Sequence, residues 1–288
     1  MASFPSTTVT VLSRGARESL PDVLEAALRC VPSPTAVTLV WSGPQEALPA
    51  VRRGVTVQTI GTETFDHGAT RQLVLDACRT DILAFLSDDA EPVRSDWLEA
   101  IARPFADPQV IAVYGRQLAR PGSSVAERVF RHVRYPGESR TILENDLRGS
   151  GELTLPVSNA NAAYRVAAIR ALGGFPRTCT FGEDRLLAVA GLDAGWRVHY
   201  AADAAVWHSH RLTWREMLGR ARHAGALSRF IDGERGVSGF QSLRRAAELG
   251  WRMVQAAWEC DGPRGVAEVL GASVARGLGF ALGRLRDR

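Results

Sequence analysis

The chain has 288 residues, 45% hydrophobic and 23% charged, which suits one large α/β domain with a smaller appendage and argues against disorder. The net charge of +4 is uneven, because residues 211–288 hold 14 arginines against 8 acidic residues, whereas residues 1–210 hold 21 against 23. The four cysteines form no Cys-x-x-Cys pair, which argues against a zinc knot and favours a reducing cytosol. Residues 1–10 show no signal-peptide pattern, and no run of 18 apolar residues predicts a membrane span.

Short apolar, β-branched runs alternate with amphipathic segments over the first 210 residues. Strands are predicted over residues 7–12, 36–41, 55–60, 81–86, 110–114, 197–200 and 205–207. Helices are predicted over 20–29, 70–79, 97–105, 162–172 and 183–194, an irregular stretch over 116–157, and further helices over 213–231, 241–259 and 264–283. The alternation predicts an α/β fold with a Rossmann-like, mixed and mostly parallel sheet flanked by helices. We expect one domain over 1–210 and a C-terminal helical extension over 211–288.

Polar residues follow three of the predicted strands. Ser13 and Arg14 follow the first, Ser42 and Gly43 follow the second, and the run 87–89 follows the fourth. In open parallel sheets, ligands bind outside the carboxyl ends of the strands. We therefore expect these three segments to line one crevice.

The run 87–89 contains two adjacent carboxylates, Asp88 and Asp89, directly after the apolar residues 82–86. Two neighbouring negative charges repel each other, and a divalent cation would offset that repulsion. Carboxylate oxygens are ligands that Mg²⁺ and Mn²⁺ prefer. The alternative is an exposed acidic turn that caps the following helix, and the local sequence leaves both interpretations open.

Two further segments carry residues that can act chemically. Asp184 lies at the start of a predicted helix, where it could cap the helix or act as a general base toward a hydroxyl group. His208 and His210 follow an apolar strand and share one face of it. A neutral imidazole can join a carboxylate in holding a metal, although this spacing alone is more typical of surface or core positions.

Eight short motifs occur in an order that resembles glycosyltransferase family 2. They are Leu12–Gly15, Phe65–Arg71, Phe85–Pro92, Tyr114–Gln117, Ser158–Ala163, Gly173–Phe175, Gly182–Arg185 and His208–His210. The resemblance covers residues 7 to 215 and is weaker in the tail, residues 211–288. The second and fourth motifs look most like the bacterial rhamnosyltransferase branch. The resemblance implies a GT-A fold whose domain over 1–210 binds a nucleotide sugar.

The resemblance also implies an activity and a set of site residues. The expected reaction is inverting, metal-dependent transfer of a sugar from a nucleoside-diphosphate sugar to a glycan, lipid-linked or small-molecule hydroxyl, in cell-envelope polysaccharide synthesis. Asp184 would be the catalytic base, and Asp89 and His208 would hold Mg²⁺ or Mn²⁺. The donor would contact Ser13, Arg14, His67, Arg71, Asp88 and Asp89. The donor sugar or the acceptor would contact Arg116, Gln117, Asn159, Asn161, Gly174 and Glu183.

Two positions depart from the pattern of this family. Ser87 stands where many relatives have an acidic residue, and Trp41 stands where an aspartate usually reads the nucleobase. Base recognition must therefore differ, or the Trp41 ring stacks on the base. Two alternative functions stay open, a sugar nucleotidyltransferase and a non-catalytic relative that binds nucleotide sugars. The nucleotidyltransferase would need a glycine-rich phosphate loop, which the segment after the first strand matches poorly.

The tail is basic and partly amphipathic. Its helices either pack on the catalytic domain or contact an anionic membrane surface that presents a lipid-linked acceptor. The second interpretation predicts a peripheral protein at the cytoplasmic face of the membrane. Nucleic-acid binding is not expected, because the body of the chain is slightly acidic and shows no basic patch with interleaved aromatic residues.

Overall fold

The computed structural model describes residues 4–15, 17–150, 155–177, 179, 181–234 and 239–285. The chain divides into two compact units. The first unit combines residues 1–117, 137–143 and 157–208, and it carries the β-sheet. The second unit combines residues 118–136, 144–156 and 209–288, and helices form most of it.

The strands of the described residues form one nine-stranded sheet. They are β1 Thr7–Ser13, β2 Ala36–Trp41, β3 Val55–Thr59, β4 Ile82–Ser87, β5 Glu91–Pro92, β6 Val110–Leu118, β7 Arg140–Ile142, β8 Asn161–Arg165 and β9 Arg197–Trp207. Their order is β3-β2-β1-β4-β8-β6-β9-β5, and β7 pairs with β9. The strands β3, β2, β1 and β4 run parallel, whereas β8 pairs antiparallel with both β4 and β6. The predicted mixed α/β sheet is confirmed.

The α-helices are α1 Leu20–Leu28, α2 His67–Ala77, α3 Trp97–Ala102, α4 Val125–Arg134, α5 Glu144–Ser150, α6 Val166–Ala171, α7 Glu183–Asp193, α8 Trp214–Glu234 and α9 Gly239–Leu285. Helices α1 and α3 bury their apolar faces in the main core of the first unit. There Leu20, Val23 and Trp97 pack with inward-facing strand residues such as Val9 and Leu39. Burial of large apolar side chains is the main stabilising contribution to such a core.

The parallel register brings several strand ends to one edge of the sheet. Ser13 pairs with Trp41 across β1 and β2, and Leu12 pairs with Ser87 across β1 and β4. The Ser42 amide donates to the Ser13 carbonyl oxygen over 3.0 Å, which continues the pairing into the loops. The predicted meeting of these segments at one edge is confirmed.

The helix predicted over residues 162–172 is wrong. Residues 161–165 form β8, and only residues 166–171 are helical. Ala162, Ala163 and Tyr164 are fully buried in a strand that pairs on both edges. A short apolar run of this kind fits a buried strand and a buried helix equally well, so its periodicity could not decide between them.

Three other predictions change in detail. The strands expected over 197–200 and 205–207 are one continuous strand, β9. The stretch expected to be irregular over 116–157 contains α4, β7 and α5. Helix α2 begins at His67 instead of residue 70, because the Asp66 carboxylate accepts from the Gly68 and Ala69 amides, each over 2.9 Å.

The second unit has a separate apolar cluster, in which Val125 and Val129 of α4 pack with Met253, Ala257 and Val269 of α9. Helix α9 is broken at Asp261 and Gly262, directly before Pro263. By length and composition, one described helix, Arg244–Leu285, could cross a membrane, since its most apolar window has a mean hydropathy of 1.3. Only a third of that window is buried. The sequence predicts helices over 241–259 and 264–283 but no membrane span, because no uninterrupted run of 18 apolar residues occurs there.

We predict that Gly115→Ala destabilises the fold. A Cβ at position 115 would overlap the Ala204 carbonyl oxygen and the Asn161 side-chain amide, and the Ala204 oxygen belongs to the neighbouring backbone and cannot turn away. Forced overpacking of this kind costs about 1–3 kcal/mol. Thermal and denaturant unfolding measure the loss.

Gly219→Ala in α8 is the control, because its added Cβ meets no atom within 4 Å. An alanine in a helix interior leaves the stability unchanged or raises it by up to about 1 kcal/mol. Equal unfolding midpoints for wild type and Gly115→Ala would contradict the close approach of β6 and β9.

Candidate active site

Asp88 lies directly after β4 in a largely shielded position, where its side chain is only 11% exposed. The Ser13 hydroxyl lies 2.7 Å from its Oδ2 oxygen, and the Ser19 hydroxyl donates to its main-chain carbonyl over 2.9 Å. The Arg17 Nε atom lies 3.2 Å from Oδ1. Burial raises the pKa of Asp88, and the Asp89 charge adds to this, while the Ser13 hydroxyl and the Arg17 guanidinium oppose it.

Asp89 contacts a serine, a histidine and an arginine. Its Oδ1 oxygen accepts from the Ser87 hydroxyl over 2.9 Å and lies 3.2 Å from His208 Nε2. Its Oδ2 oxygen lies 3.2 Å from Arg17 Nη1. Ser87 therefore orients Asp89, which gives this departure from the family pattern a physical role.

His208 is buried, and its second ring nitrogen is also engaged. Nδ1 lies 2.8 Å from the Gln117 Oε1 oxygen, which can only accept a hydrogen bond. His208 therefore donates from Nδ1 to Gln117, which leaves Nε2, beside Asp89, as the ring nitrogen that can bind a metal. A histidine fixed through its outer nitrogen is the usual arrangement of a metal ligand.

The Asp89 and His208 ligand atoms lie close enough together to hold one metal ion. An oxygen and an imidazole nitrogen form a mixed donor set that suits Mn²⁺ and other divalent cations. The residues present therefore fit a metal, as the sequence predicts. We call Asp88, Asp89, His208 and Gln117 the acidic site.

Asp184 lies in the first turn of α7 and accepts two main-chain hydrogen bonds. The Asn159 amide donates to its Oδ2 over 3.0 Å, and the Arg185 amide donates to its Oδ1 over 2.8 Å. Burial raises the pKa of Asp184 to about 6, and the neighbouring Glu183 charge adds to the rise. A carboxyl with this pKa is ionised at neutral pH yet basic enough to accept a proton, which is what a general base requires.

Glu183 is buried beside Asp184 and paired within the protein. Its Oε1 oxygen lies 3.0 Å from Arg71 Nη1 and accepts from the Asn159 side-chain amide over 3.0 Å. The Tyr164 hydroxyl in turn donates to Asn159 Oδ1 over 2.7 Å. The network holds the start of α7, so the contacts of Glu183, Arg71 and Asn159 are those of positioning residues. Their predicted contacts with donor or acceptor stay predictions.

His67 and Arg14 lie near this network. The His67 ring meets Phe65 edge to face and lies 3.2 Å from Arg71 Nη1, while the Arg14 guanidinium stacks 4.8 Å from the Phe65 centroid. Burial lowers the pKa of His67 to about 4, and the Arg71 and Arg14 charges lower it further, against the opposing effect of Asp184. His67 is therefore neutral at physiological pH.

The residues predicted to face sugar or acceptor differ in exposure. Asn161 is fully buried, and its side chain bonds to the Trp97 indole and to two main-chain carbonyls, so it offers no surface to a ligand. Gln117 is buried against His208, whereas Arg116 is partly exposed. Gly174 adopts a φ of +83° and packs on the Gln72 side chain.

The suggestion that Trp41 stacks on a nucleobase is wrong. Trp41 is fully buried in the core of the first unit, and its Nε1 donates to the Pro44 carbonyl oxygen over 3.1 Å. An apolar indole at the end of a doubly paired strand turns inward because its burial stabilises the core. Recognition of the base must involve other residues.

Sequence reasoning missed Arg17 and the orienting role of Gln117. Arg17 lies in a loop outside the recognised motifs, and its contacts with Asp88 and Asp89 show its role only in the folded structure. The family resemblance predicts that Gln117 contacts the donor sugar or the acceptor. The position of a residue in a motif does not show which way its side chain points, so the contact with His208 could not be predicted. Neither contact has a sequence signal, since the partners are tens of residues apart.

Comparison with known proteins identifies the class. The family model described as "Glycosyltransferase like family 2" matches residues 5–223, so this chain belongs to that family and is a glycosyltransferase. It is similar to the O-antigen chain rhamnosyltransferase RfbN of Salmonella typhimurium, with 30% identity over 272 residues that cover 92% of this chain and 85% of the relative. It is also 32% identical to the O-antigen chain rhamnosyltransferase WbaN of Salmonella anatum over 230 residues, 78% of this chain and 71% of that one.

A solved structure shares the fold. The mannosyltransferase PcManGT from Pyrobaculum calidifontis, in complex with GDP-Man and Mn²⁺, superposes with a TM-score of 0.61 at 18% identity. The match covers 97% of this chain and 84% of that chain. The predicted GT-A type of fold is therefore confirmed.

The raised pKa of Asp184 predicts a stability effect of known sign. The folded carboxyl binds its proton up to about pH 6, whereas an unfolded aspartate loses it near 3.8. The free energy of unfolding contributed by this group is thus fully present below pH 3.8 and is lost as the pH rises through about 6. Asp184→Asn should become more stable relative to wild type by about 1–3 kcal/mol between pH 4 and pH 8.

Urea unfolding at several pH values measures this difference. Asp193→Asn, at the exposed end of the same helix, is the matched control and should show no such trend. A difference between Asp184→Asn and wild type that stays constant with pH, or shrinks as the pH rises, would show that the Asp184 pKa is not raised.

Proposed function

We propose that this glycosyltransferase moves a sugar from a nucleoside-diphosphate sugar to an acceptor hydroxyl, with inversion and with a divalent metal, in cell-envelope polysaccharide synthesis. The observation that carries the proposal is the Asp89–His208 pair, 3.2 Å apart at the carboxyl end of a parallel strand. The rhamnosyltransferase names of two relatives favour a deoxyhexose donor and a glycan or lipid-linked acceptor. We propose that residues 1–210 form the catalytic domain and 211–288 its helical extension.

Asp89 and His208 would hold Mg²⁺ or Mn²⁺, with Gln117 fixing the histidine and Ser87 fixing the carboxylate. A bound cation would neutralise charge on the departing nucleoside diphosphate. Mn²⁺ is the ion present in the mannosyltransferase that shares this fold. Asp88 would lie toward the donor ribose.

Asp184 would act as the base in a single displacement. The acceptor oxygen forms a bond to the anomeric carbon while the bond from that carbon to the diphosphate oxygen breaks, and the hydroxyl proton passes to the Asp184 carboxylate. Attack from the face opposite the leaving group inverts the anomeric configuration. Two main-chain amides fix the Asp184 carboxylate, so the base is oriented before the acceptor arrives.

Family membership favours this reaction over the nucleotidyltransferase alternative. A non-catalytic relative is disfavoured by the complete set of orienting contacts around Asp89, His208 and Asp184. Formation of pyrophosphate from a sugar 1-phosphate and a nucleoside triphosphate would support the nucleotidyltransferase. Release of nucleoside diphosphate that EDTA abolishes would support the transferase.

The proposed membrane contact lies on an apolar stripe of α9, formed by Leu270, Val274, Leu278, Leu282 and Leu285. These side chains recur every three or four residues and are 42–75% exposed. The opposite side of α9 packs within the second unit through residues such as Val269 and Ala272. This part of α9 can therefore offer lipid only one side of its surface, which favours a helix lying in the interface over one crossing it.

Charge supports the same partner. Residues 211–288 hold 14 arginines against 8 acidic residues, so the segment that carries the apolar stripe is net positive. Basic residues beside an apolar helix face are attracted to anionic lipid headgroups. The partner proposed for this surface is therefore the anionic cytoplasmic leaflet.

Asp184→Asn should abolish sugar transfer while leaving donor binding within about threefold of wild type, because the amide keeps the shape but cannot accept the proton. Release of nucleoside diphosphate from dTDP-, UDP- and GDP-sugars with Mn²⁺ measures turnover. The thermal shift caused by the same donors measures binding.

Asp193→Asn is again the control and should turn over normally. Near-normal turnover in Asp184→Asn would show that Asp184 is not the base. Loss of the donor-induced thermal shift in that variant would show instead that Asp184 serves donor binding.

Val274→Asp should weaken binding to vesicles of mixed phosphatidylglycerol and phosphatidylcholine by about tenfold, because it places a charge in the apolar stripe. Asn145→Asp adds the same charge at an exposed site of α5, outside α9, and should bind like wild type. Co-sedimentation measures both. Wild-type protein that does not bind these vesicles would refute the membrane contact. A wild-type dimer that Val274→Asp dissociates would also refute it, because the stripe would then be buried between two copies of the chain.

A further inference from the structure

Arg17 bridges the two carboxylates of the acidic site. Its Nε lies 3.2 Å from Asp88 Oδ1, and its Nη1 lies 3.2 Å from Asp89 Oδ2. The two aspartate side chains are only 11% and 13% exposed, so water screens their mutual repulsion poorly. One guanidinium therefore supplies, in this structure, the positive charge that adjacent carboxylates at a strand end require.

The backbone around Arg17 is fixed by hydrogen bonds, whereas the Arg17 side chain is more than half exposed. The Arg17 amide donates to the Gly15 carbonyl oxygen over 2.9 Å, and the Ser19 hydroxyl donates to the Asp88 carbonyl oxygen over 2.9 Å. The Arg17 side chain itself is 55% exposed. Its long, flexible stem can thus carry the guanidinium away from the carboxylates without moving the backbone.

Arg17 and a metal ion would share one carboxylate. Asp89 Oδ2 is the oxygen beside Arg17, while Asp89 Oδ1 faces His208. A divalent cation on Asp89 would repel a guanidinium only one carboxylate away, and it would remove the charge that attracts Arg17. An arriving diphosphate offers the guanidinium new partners, because its forked donors match phosphate oxygens.

We propose that Arg17 occupies the Asp88–Asp89 pair while the donor is absent and moves to the donor diphosphate when metal and donor bind. This inference rests on the proposed function, since it requires the metal at Asp89 and a diphosphate beside it. Arg17 is then a positioning residue that makes metal binding depend on the nucleotide. Metal alone binds weakly because it must displace Arg17, whereas metal with nucleotide binds tightly.

Calorimetric titration of Mn²⁺ into the full chain tests the first half. Without nucleotide, Arg17→Gln should bind Mn²⁺ about threefold to tenfold more tightly than wild type, because the competing charge is gone. Arg94→Gln removes another exposed arginine of the first unit, paired with Asp96, and should leave Mn²⁺ affinity within about twofold. Unchanged or weaker Mn²⁺ binding in Arg17→Gln would overturn the proposal.

The second half is tested with dTDP, UDP and GDP at saturating Mn²⁺. Arg17→Gln should bind whichever diphosphate wild type prefers about tenfold more weakly, so the mutual enhancement of metal and nucleotide shrinks. Equal enhancement in both proteins would also overturn the proposal. These are binding measurements, and they do not depend on turnover.

Asp89→Ala separates this inference from the proposed function. If Asp89→Ala abolishes Mn²⁺ binding while Arg17→Gln has no effect, the metal site at Asp89 is supported and the proposed role of Arg17 is refuted. If wild type binds no Mn²⁺ even with the three diphosphates, or if Asp89→Ala binds it normally, the metal site itself fails and the inference fails with it.

Discussion

The repulsion between Asp88 and Asp89 is the constraint on which the site depends. The two carboxylates are adjacent in sequence and largely shielded, so each must be compensated. Asp88 is compensated by the Ser13 hydroxyl and Arg17, and Asp89 by the Ser87 hydroxyl and Arg17. The parallel pairing of β1 with β4 makes this possible, because it sets Ser13 and the run 87–89 at the same sheet edge. Such a pair is well suited to a divalent cation, since one doubly charged ion can replace several partial compensations.

The carboxylate of the proposed base and the carboxylates of the acidic site lie in different electrostatic environments. Asp184 is buried beside a second carboxylate, so its pKa rises toward neutrality, although the Asn159 main-chain amide that holds it opposes the rise. The Glu183 charge beside it is satisfied by Arg71 and Asn159, which leaves Asp184 as the carboxylate able to accept a proton. Carboxylates whose environments differ in this way can take different chemical roles.

The sequence predicted the mixed sheet and the meeting of strand ends, because short β-branched runs bounded by polar residues have few other interpretations. It could not decide whether residues 161–165 form a strand, since Ala-rich buried segments lack a diagnostic period. Trp41 was placed correctly at a strand end, but its inward orientation follows from core packing. The direction of Gln117 and the reach of Arg17 are tertiary properties, and no local pattern encodes them. Motif order predicted the residues of the site, and the structure shows their contacts within the protein.

Pulsed electron paramagnetic resonance of Mn²⁺ bound together with a nucleoside diphosphate tests the metal assignment most directly. His208 donates from Nδ1 to Gln117 and presents Nε2 beside Asp89, so a nitrogen of the protein should be bonded to the ion. We expect a nitrogen-14 coupling in wild type that disappears in His208→Ala, while the ion stays bound through Asp89 and the diphosphate. A wild-type spectrum without that coupling, or a coupling that survives in His208→Ala, would contradict the Asp89–His208 metal site.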